Sequence, residues 1–231
     1  MSEAEARPAP RRARDAERTR TDILAVAQAE FAEHGLAGAR VDAIAARTHT
    51  TKRMIYYYFG SKEGLYLAVL ERAYGAIRHA EQALDLAALP AEAAMRRLVE
   101  FTFDYDEANP DFVRLVSIEN IHRARFIGRS PDLRAVNATA LDTLGAILAR
   151  GQAEGVFRTD LEPLDVHMLI SAFCIFRVAN RHTFGRLFDM DLSAAPLRSR
   201  HRRVIADAVV SLIASSARRC ADQDPGTRQT G

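Results

Sequence analysis

The stretch Gly38–Leu65, GARVDAIAARTHTTKRMIYYYFGSKEGL, carries most of the information about fold and function in this chain. It contains two short segments with apolar residues at helical spacing, centred on Ile44 and Ile55, and a polar turn joins them. Helices this short are unstable alone and need a further helix to cover their apolar sides. Residues 17–34 supply one, so the sequence predicts a three-helix unit that contains a helix-turn-helix.

The second helix of this pair has the residue types that DNA recognition requires. Thr51 is a suitable N-cap, and the free N–H groups beside it favour a nearby phosphate. Lys52 and Arg53 follow in the first turn, where a recognition helix meets base edges in the major groove. The run Tyr56–Tyr58 comes next, and its three rings cannot all face the core because successive helical residues point about 100° apart. A three-helix unit that binds nothing is the alternative, since such patterns also arise by chance.

The net charge of +2 is unevenly distributed along the chain. Residues 1–62 contain 11 Lys and Arg against 8 Asp and Glu, whereas residues 63–231 contain 21 against 22. Of the 32 basic residues only Lys52 and Lys62 are lysines. A positive excess at one end is typical of a phosphate-binding surface, although an excess of 3 is small.

The rest of the chain predicts an all-α fold, because helical periodicity continues and no alternating strand pattern is present. A helix capped by Ser61 is expected from Lys62 to about Leu84. Pro or Gly residues separate the later helices, which are expected at 91–108, 111–127, 132–154, 163–183 and 198–218. The acidic run Asp104–Glu107 is interpreted as a solvated helix end. The predicted divisions are a flexible arm (1–15), a helix-turn-helix domain (16–66), a larger helical domain (67–218) and a disordered tail (219–231).

Several classes of protein are not expected. No stretch of about 18 apolar residues is free of charge, so no membrane span is predicted, and the first 20 residues lack the apolar segment of a secretory signal. Cys174 and Cys220 lie far apart without metal-ligand spacing, as expected for reduced thiols in a cytoplasmic protein. No nucleophile elbow, phosphate loop or zinc ligand set is present, so neither an enzyme nor a cofactor is predicted.

The N-terminal segment, over about residues 18–70, resembles the DNA-binding domain of the TetR/AcrR family of bacterial transcriptional regulators. The positions that carry this resemblance are Phe31, Gly35, Gly38, Val41, Ile44–Ala45, Ile55–Phe59 and Ser61–Leu65. The resemblance implies a homodimeric repressor of cytoplasmic bacterial type, bound to double-stranded DNA at a palindromic operator with half-sites about 34–36 Å apart. It also implies release by a small molecule through the helix that starts at Ser61, which would span both domains. The sequence does not separate a repressor from an activator.

The resemblance further implies which side chains meet DNA. Base contacts are implied for Lys52 and Arg53, and a position between base and backbone is implied for Tyr56. The other implied phosphate contacts come from Tyr57, Tyr58 and Lys62.

Three turn residues depart from the family pattern. Arg40 stands where a Thr or Ser cap is usual, which removes a cap but would add a phosphate contact. His49 replaces a turn Gly, so a positive φ there would strain the backbone, and Thr50 replaces a turn Val.

For the larger domain the resemblance is weaker and implies a helical bundle with a ligand cavity and a dimer interface built by the last two long helices. The expected interface residues are Ile170, Phe173, Cys174, Val204, Ala208, Val209 and Leu212. The candidate ligand-binding residues are Phe103, Glu119, His122, Arg123, Phe126, His167, Phe173, Phe176 and Asn180. Aromatic residues at such spacing are also typical of an ordinary core.

Two further alternatives remain open at the level of sequence. Glu119 and His122 have the i, i+3 spacing of carboxylate-bridged metal sites, but such sites need a second copy, so no metal site is predicted. A nucleoid-type protein would bind random and genomic DNA with equal affinity, through phosphate contacts alone.

Overall fold

The computed structural model describes residues 9–215, and these residues are almost entirely helical. The α-helices are α1 (Ala9–Gly38), α2 (Val41–Arg47), α3 (Lys52–Phe59), α4 (Lys62–Gln82), α5 (Ala91–Ala108), α6 (Pro110–Ile121), α7 (Pro131–Ala153), α8 (Pro163–Ala179), α9 (Arg181–Leu187) and α10 (Ala195–Ile213). Short 3-10 helices occur at Leu86–Ala88 and Ile127–Arg129. Between residues 9 and 215 the only β-type pairing is an isolated antiparallel bridge from Phe157 to Ala214. The predicted all-α class is therefore confirmed.

The first helix differs from its expected bounds at both ends. It begins at Ala9, so the part of the predicted arm that is described, residues 9–15, is helical. Gly35 has a φ of 63°, as expected for a helix-ending Gly, but helical structure resumes beyond this kink and ends at Gly38. The remainder of the predicted arm and the predicted tail over 219–231 lie outside the described residues.

Three of the expected long helices end several residues earlier than predicted, and α10 is one of them, ending at Ile213. α6 ends at Ile121 because Arg123 and Ala124 adopt positive φ values of 58° and 53°, which helical backbone does not tolerate. α8 ends at Ala179, where the side-chain amide of Asn180 donates a hydrogen bond to the carbonyl of Phe176 (3.0 Å), and the separate helix α9 follows. Apolar periodicity does not reveal such breaks.

The chain divides into two compact units, and the first contains the described residues up to Ala73 together with Arg114–Leu133. The predicted boundary after residue 66 is therefore wrong, because residues 67–73 and 114–133 also belong to this unit. Its core includes a row of three rings: Tyr66 lies 5.0 Å from Phe31 and 5.2 Å from Phe126, both in edge-to-face geometry. The row joins α1 and α4 to the segment that follows α6.

The second unit contains Tyr74–Val113 and the described residues from Arg134 onward. In it α5 packs against α8 and α10 around a hydrophobic core. The fully or almost fully buried side chains of this core include Met95, Val99, Phe103, Leu144, Val166, Cys174 and Ile213. Gly151 on α7 allows the ring of Phe157 to lie where a Cβ atom would be, since a Cβ built there comes within 2.0 Å of that ring.

Candidate DNA-binding surface

Helices α2 and α3 form the helix-turn-helix, and local interactions define the ends of α3. Ile44 and Ile55 face the interior and are fully buried. The Thr51 hydroxyl accepts a hydrogen bond from the Met54 N–H (3.2 Å), which confirms the predicted N-cap. Gly60 ends the helix with a φ of 73°, and Ser61 then caps α4 by accepting from the Gly64 N–H (3.0 Å).

The turn between α2 and α3 contains the strain expected from its sequence. His49, which replaces the usual turn Gly, has a φ of 52°. On one side of it, the Thr48 hydroxyl donates to the Ile44 carbonyl (2.8 Å), and on the other the Thr50 N–H donates to the Ala45 carbonyl (3.1 Å). These hydrogen bonds hold the turn in place against the cost of the positive φ.

The outward side of α3 presents a cationic and aromatic surface, made of Thr51, Lys52, Arg53, Tyr56 and Tyr57, which we call the α3 surface. All five residues are exposed, and Tyr57 has the highest exposed fraction of the large apolar side chains, at 78%. Arg53 forms no ion pair within the part of the chain that the structure describes. The guanidinium group of Arg53 and the rings of two tyrosines can therefore reach a ligand outside the unit.

Tyr58, the third residue of the tyrosine run, is half-buried, and its ring packs against that of Tyr57. Its ring lies 5.4 Å from that of Tyr57, and the neighbouring ring of Phe59 lies under the guanidinium of Arg20 at 5.5 Å. The Tyr58 side chain is therefore only partly accessible beside the α3 surface.

The two cations expected beside this helix already have intramolecular partners. The Arg40 guanidinium donates two hydrogen bonds to the Asp42 carboxylate (3.0 and 3.3 Å), and this partner lowers the pKa of Asp42 to about 2. Arg40 makes no side-chain cap for α2, as its departure from the family pattern predicts. The Lys62 ammonium donates one hydrogen bond to the Ala37 carbonyl (3.2 Å), so its other two N–H groups remain available for a phosphate.

Comparison with known proteins assigns both parts of the chain. The family described as "Bacterial regulatory proteins, tetR family" matches residues 23–69, and "Tetracyclin repressor-like, C-terminal domain" matches residues 90–209. The chain belongs to the TetR family. This TetR-family protein is thus a DNA-binding transcriptional regulator and not an enzyme.

Individual relatives agree with the family assignment. The HTH-type transcriptional repressor NicS of Pseudomonas putida is 39% identical over 182 residues, which are 79% of this chain and 86% of that protein. The HTH-type transcriptional regulator RutR of Escherichia coli K12 is 29% identical over 181 residues, 74% of this chain and 77% of that protein. The crystal structure of the transcriptional regulator SCO4942 of Streptomyces coelicolor has a TM-score of 0.66 and 32% identity, and the match covers 84% of this chain and 98% of that chain.

The candidate ligand residues of the TetR-family regulator are divided between the two units. Glu119, His122, Arg123 and Phe126 belong to the first unit, whereas the other five candidates belong to the second. The Glu119 carboxylate accepts hydrogen bonds from the N–H groups of Phe126 and Ile127 (both 3.1 Å), so it holds the turn after α6. His122 and Arg123 are exposed on this turn, and Phe126 is buried against Tyr66. Glu119 and Phe126 thus have structural roles, and His122 and Arg123 lie on the surface; ligand contact by these four residues stays a prediction.

In the second unit the structure brings three of the remaining candidates together. Phe173, Phe176 and Asn180 line a small cavity of about 190 Å³, together with Arg177, Phe184, Leu192, His201, Val204 and Ile205. Phe103 is buried in the core and His167 is half-buried on another part of α8. Within the described residues no group of three or more His, Cys, Asp or Glu side chains is placed to bind a metal.

The expected dimer residues fall into two classes. Ile170, Cys174 and Val209 are 3%, 1% and 1% exposed and belong to the core of their own unit, so their prediction as interface residues is wrong. Helical periodicity identifies apolar positions without distinguishing an inward side from an outward one. Exposed residues of α8 and α10 include the other four predicted residues, Phe173, Val204, Ala208 and Leu212, and three that the prediction omitted, Leu164, Met168 and Phe176.

The sequence-based prediction missed three buried residues of a polar cluster in the second unit and included only its half-buried member, His167. The cluster consists of Arg78 and Glu81 on α4, Asp106 on α5 and His167 on α8, and we call it the Asp106 cluster. Asp106 lies in the acidic run that was interpreted as a solvated helix end, yet it is only 1% exposed, so that interpretation is wrong for this residue. Its position three residues after the buried Phe103 is the available signal, because both side chains lie on one side of α5.

The sequence predicts no membrane span, which would require a long and continuously apolar helix. Among the described residues, no helix combines the length and apolar character needed to cross a membrane.

Proposed function

We propose that this TetR-family regulator is a homodimeric repressor that reads a near-palindromic operator with the α3 surface and leaves it when a small molecule binds the second unit. The observation that carries this proposal is the exposure of Lys52, Arg53, Tyr56 and Tyr57 on α3. Thr51 caps this helix, and the buried side chain of Ile55 anchors its inner side in the core. An exposed Arg can bond bidentately to the O6 and N7 atoms of guanine, and exposed tyrosine hydroxyls can donate to phosphate.

Contacts to the DNA backbone come from the residues around α3. Tyr57 has the most accessible ring, Tyr58 lies beside it, and Lys62 retains two N–H donors. The free N–H groups of the first turn of α3 add to this set. Arg40 contributes only by exchanging its Asp42 partner for phosphate, so we expect a smaller role for it.

Dimerisation is supported by the apolar surface that α8 and α10 leave uncovered. Met168 is 63% exposed, Val204 53% and Phe176 51%, and all three are large apolar side chains. Water-exposed apolar surface of this extent is typical of a protein interface. A dimer with two α3 surfaces also matches the twofold symmetry of a palindromic site.

Repression with release by a small molecule is supported by the relatives and by the path of α4. NicS, the relative that is 39% identical, carries the name of a repressor. Residues 62–73 of α4 belong to the first unit and Tyr74–Gln82 to the second, so a ligand that contacts the second half acts on the helix that also carries Lys62. By linkage, a ligand that weakens DNA binding is itself bound more weakly in the presence of DNA.

The test is selection of double-stranded DNA from a random library by the full chain, followed by titration of the selected site. We expect a near-palindromic sequence with half-sites about one helical turn apart. Arg53→Ala should relax discrimination at one base position per half-site by about 1–3 kcal/mol, and Lys62→Ala should flatten the salt slope by about one unit.

Arg134→Ala is the matched control, because Arg134 is exposed on α7 and distant in sequence from α3. It should leave specificity as in the parent. A library that yields no enriched sequence, or an Arg53 variant that selects the same sequence with equal discrimination, would contradict the proposed reading surface.

A further inference from the structure

Asp106 is a buried carboxyl group with no hydrogen-bond partner among the residues that the structure describes. It is 1% exposed, and neither Oδ1 nor Oδ2 has a partner. The Nε of Arg78, which is 9% exposed, is also without one, although its Nη1 pairs with Glu81 at 2.7 Å. Buried polar atoms are almost always satisfied, and leaving a carboxylate unsatisfied costs several kcal/mol in a protein interior. An arrangement this costly indicates a ligand that supplies the missing partners.

The charges of the Asp106 cluster favour a positively charged ligand. Arg78 is the one fixed cation, and it faces two carboxyl groups, Glu81 and Asp106. Beside the cluster, Glu107 pairs with Arg177, so this second pair adds no charge. Burial raises the pKa of both Glu81 and Asp106, so in the empty cluster a proton offsets the second carboxyl group. When both carboxyl groups are ionised, the cluster is one positive charge short.

The neighbouring titratable groups do not supply this charge. Burial, assisted by Arg78, lowers the pKa of His167, which keeps the imidazole neutral. Burial raises the pKa of the Cys174 thiol, which therefore stays protonated and uncharged. His201 on α10 accepts a hydrogen bond from Arg177 and its pKa is also lowered, first by burial and then by Arg177.

We propose that Asp106 binds a protonated nitrogen of a small-molecule effector, an ammonium or amidinium group, while Arg78 Nε donates to an oxygen or other acceptor of the same molecule. This inference rests on the proposed function, in which a small molecule acts on the second unit. Both Asp106 oxygens can then accept a hydrogen bond, and the cluster becomes neutral. Phe103, three residues before Asp106, and Val166, next to His167, belong to the hydrophobic core, so the surroundings of the cluster are apolar.

The protonation state of Asp106 makes the proposal measurable. Burial raises the pKa of Asp106 to about 7, with Arg78 lowering it and Glu107 raising it to smaller extents. A cation binds the ionised carboxylate, so binding must release the proton that Asp106 carries below this pH. The affinity for a cation should therefore be about tenfold lower at pH 6 than at pH 8.

The experiment measures binding of methylammonium, methylguanidinium and benzamidine to the full chain by calorimetry at pH 6 and pH 8, with benzamide as the neutral counterpart of benzamidine. We expect at least one cation to bind with the stated pH dependence and benzamide to bind at least tenfold more weakly than benzamidine. Asp106→Asn should lower the affinity for the cation at least tenfold, whereas Asp142→Asn, at an exposed position of α7, should not change it.

Three results would overturn the assignment: none of the three cations binds, benzamide equals benzamidine, or the affinity is the same at pH 6 and pH 8. The pH comparison uses the unsubstituted protein, so it does not depend on the folding of a variant. Selection of an operator in the absence of any probe tests the proposed function separately. If an operator is found and no cation binds, this inference fails while the proposed function stands.

Discussion

Replacing Asp106 with Asn removes a buried ionisable group while nearly preserving its size and shape. In the folded chain the pKa of Asp106 is raised to about 7, mainly by burial. In the unfolded chain the same carboxyl group has a pKa of about 3.9. Between these two values the folded state holds a proton that the unfolded state has lost, so the stability of the parent falls as the pH rises.

The size of the effect follows from that pH window. Each pH unit between the two pKa values changes the free energy of unfolding by about 1.36 kcal/mol. From pH 5 to pH 7 the parent should lose about 2.3 kcal/mol relative to Asp106→Asn, because the slope falls as folded Asp106 itself ionises near pH 7, and the gap should stay nearly constant above pH 8. Contributions common to both proteins, such as that of His167, cancel in the difference. At pH 8 we expect the Asn variant to be the more stable protein.

The measurement is urea unfolding of the full chain at pH 5, 6, 7 and 8. Protein concentration is held fixed, because the apparent stability of a dimer depends on it. Asp142→Asn, on the exposed side of α7, is the control and should follow the parent at every pH. Parallel stability profiles for the parent and Asp106→Asn, or a lower stability of the Asn variant at pH 8, would refute the burial of an unpaired carboxyl group.

Three further substitutions, one of them with a comparison variant, test separate parts of the structure. Val204→Glu should shift the protein toward monomer in sedimentation equilibrium, because it places a charge in the proposed apolar interface; an unchanged dimer would locate the interface elsewhere. Gly151→Ala should reduce the free energy of unfolding by about 1–3 kcal/mol, since the new methyl group overlaps the Phe157 ring, while Gly75→Ala, which meets nothing within 4 Å, should raise it by about 0.5–1 kcal/mol; equal unfolding midpoints would argue against the close approach. Thr51→Ala should cost about 1 kcal/mol in the same assay by removing the cap of α3, and no loss would mean that the cap is dispensable.

Local sequence determined the features that depend on neighbouring residues. The bounds of α5 were predicted at 91–108 and are found there, because a Pro precedes the helix and Asn109-Pro110 follows it. The caps at Thr51 and Ser61 and the positive φ at His49 were also predictable, since each involves residues no more than three positions apart. The α3 surface follows from the same local logic, because three successive tyrosines cannot all be buried.

Tertiary structure alone decided which side of each long helix faces inward and which distant residues meet. Ile170 and Val209 were assigned to a dimer interface and lie in the core, because periodicity identifies an apolar stripe and leaves its partner unspecified. Glu119 was a candidate ligand residue and instead accepts two backbone N–H groups after α6, where positive φ values end the helix. The Asp106 cluster joins residues of α4, α5 and α8, so its burial and its missing positive charge depend on contacts between residues far apart in the chain.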